Sequence, residues 1–171
     1  QPRVIMSASD SDNLKEQPET PDKGLDEMRQ AIELLFFAYR DFTAEPDAIL
    51  AKYGFGRAHH RIVYFVGRNP GITVSQLLKI LQITKQSLAR VLRQLVDEGF
   101  IEQRLDDEDG RRRLLHLLDK GHDIEIQLTA RQARRIASAF ANVGAEAQKG
   151  FKDVLRGIIN EKDRGRVSAD D

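Results

Sequence analysis

The chain contains no cysteine and no tryptophan among its 171 residues. Without cysteine there can be no disulfide framework, thiolate zinc site, iron–sulfur cluster, cysteine nucleophile or thiol redox switch. Long apolar runs are also missing. The longest, from Leu34 to Tyr39, falls far short of the about 20 residues that a membrane-spanning helix needs. No basic-then-apolar leader opens the sequence, so a soluble, cytoplasmic protein that does not engage membranes is expected. Catalytic spacing is absent as well: there is no Ser-His-Asp arrangement and no phosphate-cradling glycine loop. The four histidines, His59, His60, His116 and His122, form no i, i+4 pair of the kind that holds zinc on a helix. Neither an enzyme nor a metal or other cofactor is expected, and the length fits one domain, or one domain with an extension.

Acidic residues are missing where basic ones are not. The 27 basic and 27 acidic side chains cancel overall, yet residues 48–96 hold no acid and eight bases, Lys52, Arg57, Arg61, Arg68, Lys79, Lys85, Arg90 and Arg93. Such a local excess creates a positive field able to attract a polyanion. It serves equally as an ordinary solvated face if acids from elsewhere balance it in space. Residues 1–27 carry the opposite bias, with seven acids against three bases.

Apolar periodicity divides the chain. Residues 1–24 are polar, include Pro2, Pro18 and Pro21, and lack any apolar period, as expected of a flexible acidic tail. From Leu25 the stripe Leu25, Met28, Ile32, Leu35, Tyr39, Phe42 predicts a first helix. Pro46 is expected to break it, with a short separate helix from Asp47 to Tyr53. A helix over residues 57–67 follows, burying Ile62, Val63 and Val66 and stopped by Asn69-Pro70-Gly71. Thr73 and Gln76 have capping-box spacing and open a short helix with Leu77, Leu78 and Leu81. Thr84 caps the next helix, which runs to about Glu98. Its inner face is Leu88, Val91, Leu92 and Leu95, and Gly99 stands at its C-terminal stop. Phe100 to Leu105 and Leu114 to Leu118 are two short strands around Asp109-Gly110, a strong hairpin signal. Helices return beyond Asp119 and end near Lys162, followed by a polar tail over residues 163–171.

Helix, helix, helix-turn-helix, hairpin, long helices: this order resembles the winged-helix MarR family of transcriptional regulators. The resemblance is carried by Thr84-Lys85-Gln86-Ser87-Leu88-Ala89-Arg90, by Leu95-Val96-Asp97-Glu98-Gly99-Phe100-Ile101, and by the stretch from Asp106 to Gly121. It implies a mainly α fold with a small β wing. A winged helix-turn-helix DNA-binding domain at residues 51–118 would be flanked by an N-terminal dimerisation helix (25–50) and C-terminal dimerisation helices (119–162). Two positions depart from the family pattern: Leu78 stands where a small residue is usual, and Leu118 replaces a capping threonine, leaving the cap to Asp119.

The implied function is that of a dimeric, sequence-specific DNA-binding regulator, a repressor by expectation. An α-helix fits the major groove and must offer hydrogen bonds to base edges there. Lys85, Gln86, Ser87, Ala89, Arg90 and Arg93 make up the outward half of the second helix. Gln86 suits adenine, Arg90 suits guanine, and Ala89 fits beside a thymine methyl. Arg111, Arg112 and Arg113 follow the hairpin turn, where an arginine can enter the narrow minor groove; the resemblance points to Arg111. One or two of the acids Asp106, Asp107, Glu108 and Asp109 are expected to hold an arginine by an ion pair. Leu25, Ile32, Leu35 and Phe36 in the first helix and Phe151, Leu155 and Ile158 in the last make stripes wider than one core needs. They are the candidate homodimer contacts, and two-fold symmetry implies double-stranded DNA with a pseudopalindromic operator, half-sites about 10 bp apart. Tyr53, Arg57, His59 and His60 cluster where the resemblance implies a site for a small aromatic or anionic effector; packing and phosphate contacts are the plainer roles for them. The alternative for the whole chain is a winged-helix module that pairs with proteins and never touches DNA.

Overall fold

The computed structural model describes residues 22–167, so the acidic segment 1–21 and the end of the polar tail lie outside the described residues. The chain divides into two units, residues 1–38 and 39–171. The described part of the first is helical, and its large apolar side chains, among them Leu25, Met28, Ile32, Leu34, Leu35, Phe36 and Phe37, are all exposed.

The helix that begins there, α1, runs Asp22–Ala51 and contains Pro46. The expected break does not occur, and there is no separate helix from Asp47 to Tyr53. Proline lacks an N–H and forfeits one intrahelical bond. Here its ring is buried, and one turn further on the fully covered Leu50 anchors the end of the helix in the core. Upstream, the Thr43 hydroxyl donates to the carbonyls of Tyr39 and Arg40 at 2.9 and 3.1 Å. Burial outweighs the local penalty, and α1 continues.

The second unit holds one core. α2 (Arg57–Arg68) packs against α4 (Lys85–Asp97) and α5 (Asp119–Phe140), with Ile62, Val63 and Val66 fully covered. α3 (Val74–Leu81) precedes α4, and the two form the helix-turn-helix. Their caps are those the spacing implies. Thr73 Oγ1 accepts from the Gln76 N–H, and Gln76 Oε1 accepts from the Thr73 N–H; Thr84 Oγ1 accepts from the Ser87 N–H. The turn between them takes its left-handed residue from Gln82, at φ 54°. α4 ends on Gly99 at φ 79°, with Phe100 N–H donating back to the Leu95 carbonyl at 2.8 Å, the closure that glycine makes inexpensive.

β2 (Ile101–Leu105) and β3 (Arg113–Leu117) form the hairpin, the first starting one residue later than expected and the second displaced by one residue toward the N-terminus, with Ile101 opposite Leu117 and Leu105 opposite Arg113. A third strand, β1 (Ile72–Thr73), pairs antiparallel with β3, giving the order β1-β3-β2. Two residues between a turn and a helix cap are too few to show a strand period, so β1 leaves no signal in the sequence. No side chain caps α5; Leu118 occupies the cap position and Asp119 stands in the first turn, where its charge complements the helix dipole. α5 is followed by α6 (Ala145–Ile158) and α7 (Glu161–Arg164), so the tail expected from residue 163 begins inside a short helix. α6 buries nothing completely: Phe151, Val154 and Ile158 are exposed and Leu155 is half-buried. Among the described residues no helix is long and apolar enough to cross a membrane.

Candidate nucleic-acid interface

α4 turns Leu88, Val91, Leu92 and Leu95 into the core, which leaves Lys85, Gln86, Ala89, Arg90 and Arg93 exposed on the other face. Ser87 is half-buried and committed to the cap: its hydroxyl receives the Thr84 hydroxyl at 3.0 Å while its N–H donates to Thr84 Oγ1. Among the described residues no ion pair ties Lys85, Arg90 or Arg93 to an acid. The surface is not purely basic, however. A cavity of about 860 Å³ beside α4 is lined by Lys85, Ala89 and Arg93 together with Asp97 and Glu102.

In the hairpin the three arginines are not equivalent. The turn is built by its own acids, with Asp106 Oδ1 accepting from the Glu108 N–H, Asp109 Oδ1 from the Arg111 N–H, and the Asp109 carbonyl from the Arg112 N–H. Asp106, whose side chain is only 14% exposed, faces the Arg112 guanidinium at 3.6 Å. All three arginines are exposed, but Arg112 is paired with Asp106, whereas Arg111 and Arg113 meet no acid within ion-pair distance among the described residues. The expected acid–arginine pair is this one.

The three arginines share a cavity of about 430 Å³ with Thr73, Val74, Ser75 and Gln76. That brings the N-terminus of α3, with its positive dipole end, beside the wing. Backbone N–H groups and a helix dipole suit a phosphate there. The sequence marked Thr73 and Gln76 as a cap but not as part of an interface, because only the fold brings the hairpin to them.

The four candidate effector residues are less convergent. Tyr53 is exposed at 40%, with its ring 5.8 Å from Phe55 and edge-on to Phe100. Arg57 is tied to Asp47 at 3.0 Å, donates to Thr43 Oγ1 at 3.1 Å, and lies over the Tyr39 ring; the hydrogen bond to Asp47 raises its pKa above the usual arginine value. Arg61, beside it, donates to the Tyr39 hydroxyl at 3.1 Å. His59 points inward, with Gly56 N–H on Nδ1 at 3.0 Å and Gln94 Oε1 against Nε2 at 2.8 Å. His60 is half-buried, and burial pushes its pKa below the ordinary imidazole value against the pull of Asp47 and Glu125. The buried Oδ1 of Asp47 has no hydrogen-bond partner. No cluster of three or more metal-ligating side chains occurs among the described residues.

The chain is similar to known proteins. The family model described as MarR family matches residues 53–112. The HTH-type transcriptional regulator PetP of Rhodobacter capsulatus is 46% identical over 135 residues, which cover 79% of this chain and 81% of that protein. The HTH-type transcriptional regulator BilQ of Clostridium symbiosum is 31% identical over 81 residues, 47% of this chain and 56% of its own. Among solved structures, that of MarR superposes with a TM-score of 0.60 at 25% identity, covering 88% of this chain and 96% of that one. FabT of Streptococcus pneumoniae, solved in complex with DNA, superposes with a TM-score of 0.69 at 19% identity, covering 77% and 94%.

Proposed function

Since the chain belongs to the MarR family of transcriptional regulators, we propose that it binds double-stranded DNA as a homodimer, reading sequence with α4 and gripping the flanking backbone with the wing. One observation carries this reading: the exposed cations of α4 and the exposed Arg111 and Arg113, none of which meets an acid among the described residues, stand in one unit, and the wing shares a cavity with the N-terminus of α3. A solvated face that served only solubility would have no use for a hairpin whose acids hold one arginine and leave two facing outward. In this reading Lys85, Gln86, Ala89 and Arg90 meet base edges, Arg93 and the α3 N-terminus meet phosphates, and Arg111 enters the minor groove. Ser87 and Arg112 support the geometry instead of reading bases, since each is already engaged within the protein.

Dimerisation is supported by apolar surface that neither unit covers. The first leaves Ile32 and Phe36 more than 60% exposed, and in the second Phe151, Val154 and Ile158 stay open on α6. A monomer rarely leaves several large apolar side chains open along a helix in water, and an isologous two-fold contact covers such side chains on both protomers. The operator is then a pseudopalindrome with half-sites about 10 bp apart. Release by a small aromatic or anionic effector gains nothing from this geometry. Arg57 already directs Nε and Nη2 at Asp47 and Thr43, and both nitrogens of His59 are engaged.

The experiment is selection of bound duplexes from a random library, followed by titration of the recovered site at several salt concentrations. The expected result is a pseudopalindrome whose affinity falls with log[salt] at about 0.9 per phosphate contacted. Failure to retain any duplex, even at about 50 mM salt, would refute the proposal and leave a module that pairs only with proteins.

A further inference from the structure

Gly99 is the hinge between the helix proposed to read DNA and the wing. α4 ends on it at φ 79°, and β2 starts at Ile101. Glycine restrains its own backbone less than any other residue, so the angle between α4 and the wing depends on what grips the chain on either side. Lys120, in the first turn of α5, grips both. Its Nζ donates to the Glu98 carbonyl at 2.9 Å, one residue before the hinge. The same atom lies 4.4 Å from the centroid of the Phe100 ring, one residue after it. The carbonyls of Leu95 and Val96 are closed by the N–H groups of Phe100 and Gly99, so the ammonium takes a carbonyl at the end of the helix where intrahelical partners run out. Its charge complements the negative end of the α4 dipole, and the contact with the ring face adds a cation–π attraction. The Glu98 carboxylate is engaged elsewhere, accepting from Gln94 Nε2 at 3.0 Å. Both ends of the clasp are firm. Phe100 is buried, with Tyr53 edge-on and Phe55 at 5.1 Å, and α5 packs on α2 with Ile124 and Leu128 covered.

We propose that Lys120 is a positioning residue for DNA recognition: clasping Glu98 and Phe100 across Gly99, it fixes the angle at which α4 and the wing meet a duplex. The inference rests on the DNA-binding reading above. In that reading α4 and the wing enter different grooves, so both fit one site only at one relative angle. The 13 residues of α4 span about 20 Å. A tilt of about 5° at Gly99 therefore moves Lys85 and Gln86, at the far end, by about 2 Å. Lysine and arginine side chains follow a phosphate over that distance by changing rotamer. Hydrogen bonds to base edges do not survive it, since their length is confined to about 2.7–3.2 Å. Lys120 thus acts on discrimination between sequences and leaves general attraction to DNA as it was.

The test compares full-length wild type, Lys120→Met and Lys120→Arg on two duplexes, the selected site and a shuffled sequence of the same length and composition, at several salt concentrations. Methionine keeps an unbranched stem but neither donates to the Glu98 carbonyl nor brings a charge to the ring. Lys120→Met is expected to bind the selected duplex about fivefold more weakly, the effect of one lost hydrogen bond. Its affinity for the shuffled duplex and its salt slope are expected to match those of the wild type. Arginine restores both the charge and the donor and stacks well on a ring, so Lys120→Arg is expected to regain most of the affinity. Circular dichroism establishes that each variant is folded at the assay temperature. If the methionine variant does not fold, Lys120→Gln, which keeps a neutral donor, carries the same comparison. The proposal is overturned if Lys120→Met binds the selected duplex as tightly as the wild type, or if Lys120→Arg fails to restore binding. It is equally overturned if both duplexes are weakened alike and the salt slope falls by about 0.9, the mark of a direct phosphate contact. A wild type that binds neither duplex, or both equally, would instead overturn the DNA-reading proposal, and that is known before any variant is compared.

Discussion

Replacing Gly121 with alanine would press a methyl group into a close approach between α5 and the backbone of Phe100, the residue that leads into β2. A Cβ built on Gly121 lies 2.2 Å from the carbonyl oxygen of Phe100, 3.1 Å from its carbon and 3.2 Å from Leu117 Cδ2. Side-chain carbons do not approach within 3.0 Å of such atoms, so the helix and strand must separate by roughly 1 Å to restore ordinary contact. Phe100 cannot yield easily: the residue is 1% exposed, and its carbonyl already accepts the Leu118 N–H at 2.9 Å. Overpacking of this kind costs about 1–3 kcal/mol, and a strained or lost Leu118 bond adds about 1 kcal/mol. Alanine returns about 1 kcal/mol through better helix propensity. The net loss is about 1–3 kcal/mol, which for a chain of this length lowers Tm by about 2–12 °C. Thermal unfolding followed by circular dichroism measures it directly. The sign is the decisive feature, because propensity alone predicts a stabilised variant. A Tm equal to or above that of the wild type would refute the close approach.

In the wing, Arg111→Ala and Arg113→Ala should each weaken binding of the selected duplex by about tenfold and lower the salt slope by about one, whereas Arg112→Ala, which loses an intramolecular partner first, should cost less; equal losses at all three would contradict the Asp106–Arg112 pairing. Phe36→Glu and Ile158→Glu place charges on exposed apolar positions and should shift the protein from dimer to monomer in sedimentation velocity, with little change in helicity. His60 titrates below the ordinary imidazole value because it is half-buried. The unfolded chain therefore binds the proton more readily than the folded one, so its contribution is constant above about pH 6.5 and stability is lost as pH falls through that value toward the lowered folded one. His60→Gln should show a shallower fall in Tm over the same interval, and an unchanged slope would mean that burial is not what holds the proton off.

The legible parts of the fold are those where local chemistry and tertiary packing agree. Thr73 with Gln76, Thr84 before a helical stripe, Gly99 after one and Asp109-Gly110 between two apolar runs each marked a boundary that the structure keeps within a residue. Pro46 is the contrary case. Its missing N–H is a local penalty that a sequence displays openly, while the burial that offsets it is supplied by residues distant in the chain. β1 was invisible for a related reason: Ile72 and Thr73 are strand only because β3 lies beside them at Leu115 and Leu114.

Site residues follow the same division, with a sharper consequence. Helical periodicity identifies which side chains of α4 face outward, because that depends only on which face is apolar, and Lys85, Gln86, Ala89, Arg90 and Arg93 are exposed as the stripe requires. Periodicity says nothing of which polar groups are already bonded inside the protein. Arg111, Arg112 and Arg113 are indistinguishable as a run of three, yet Asp106 engages the middle one. His59 and His60 are neighbours in the chain, yet the first accepts from the Gly56 N–H at the start of α2 and bonds to Gln94 of α4, while burial lowers the pKa of the second. A polar side chain on a helix is available to a ligand only when the fold has left its donors and acceptors open. By that criterion Arg57 and His59 belong to the internal structure of the unit, while Arg111 and Arg113 remain open to a polyanion.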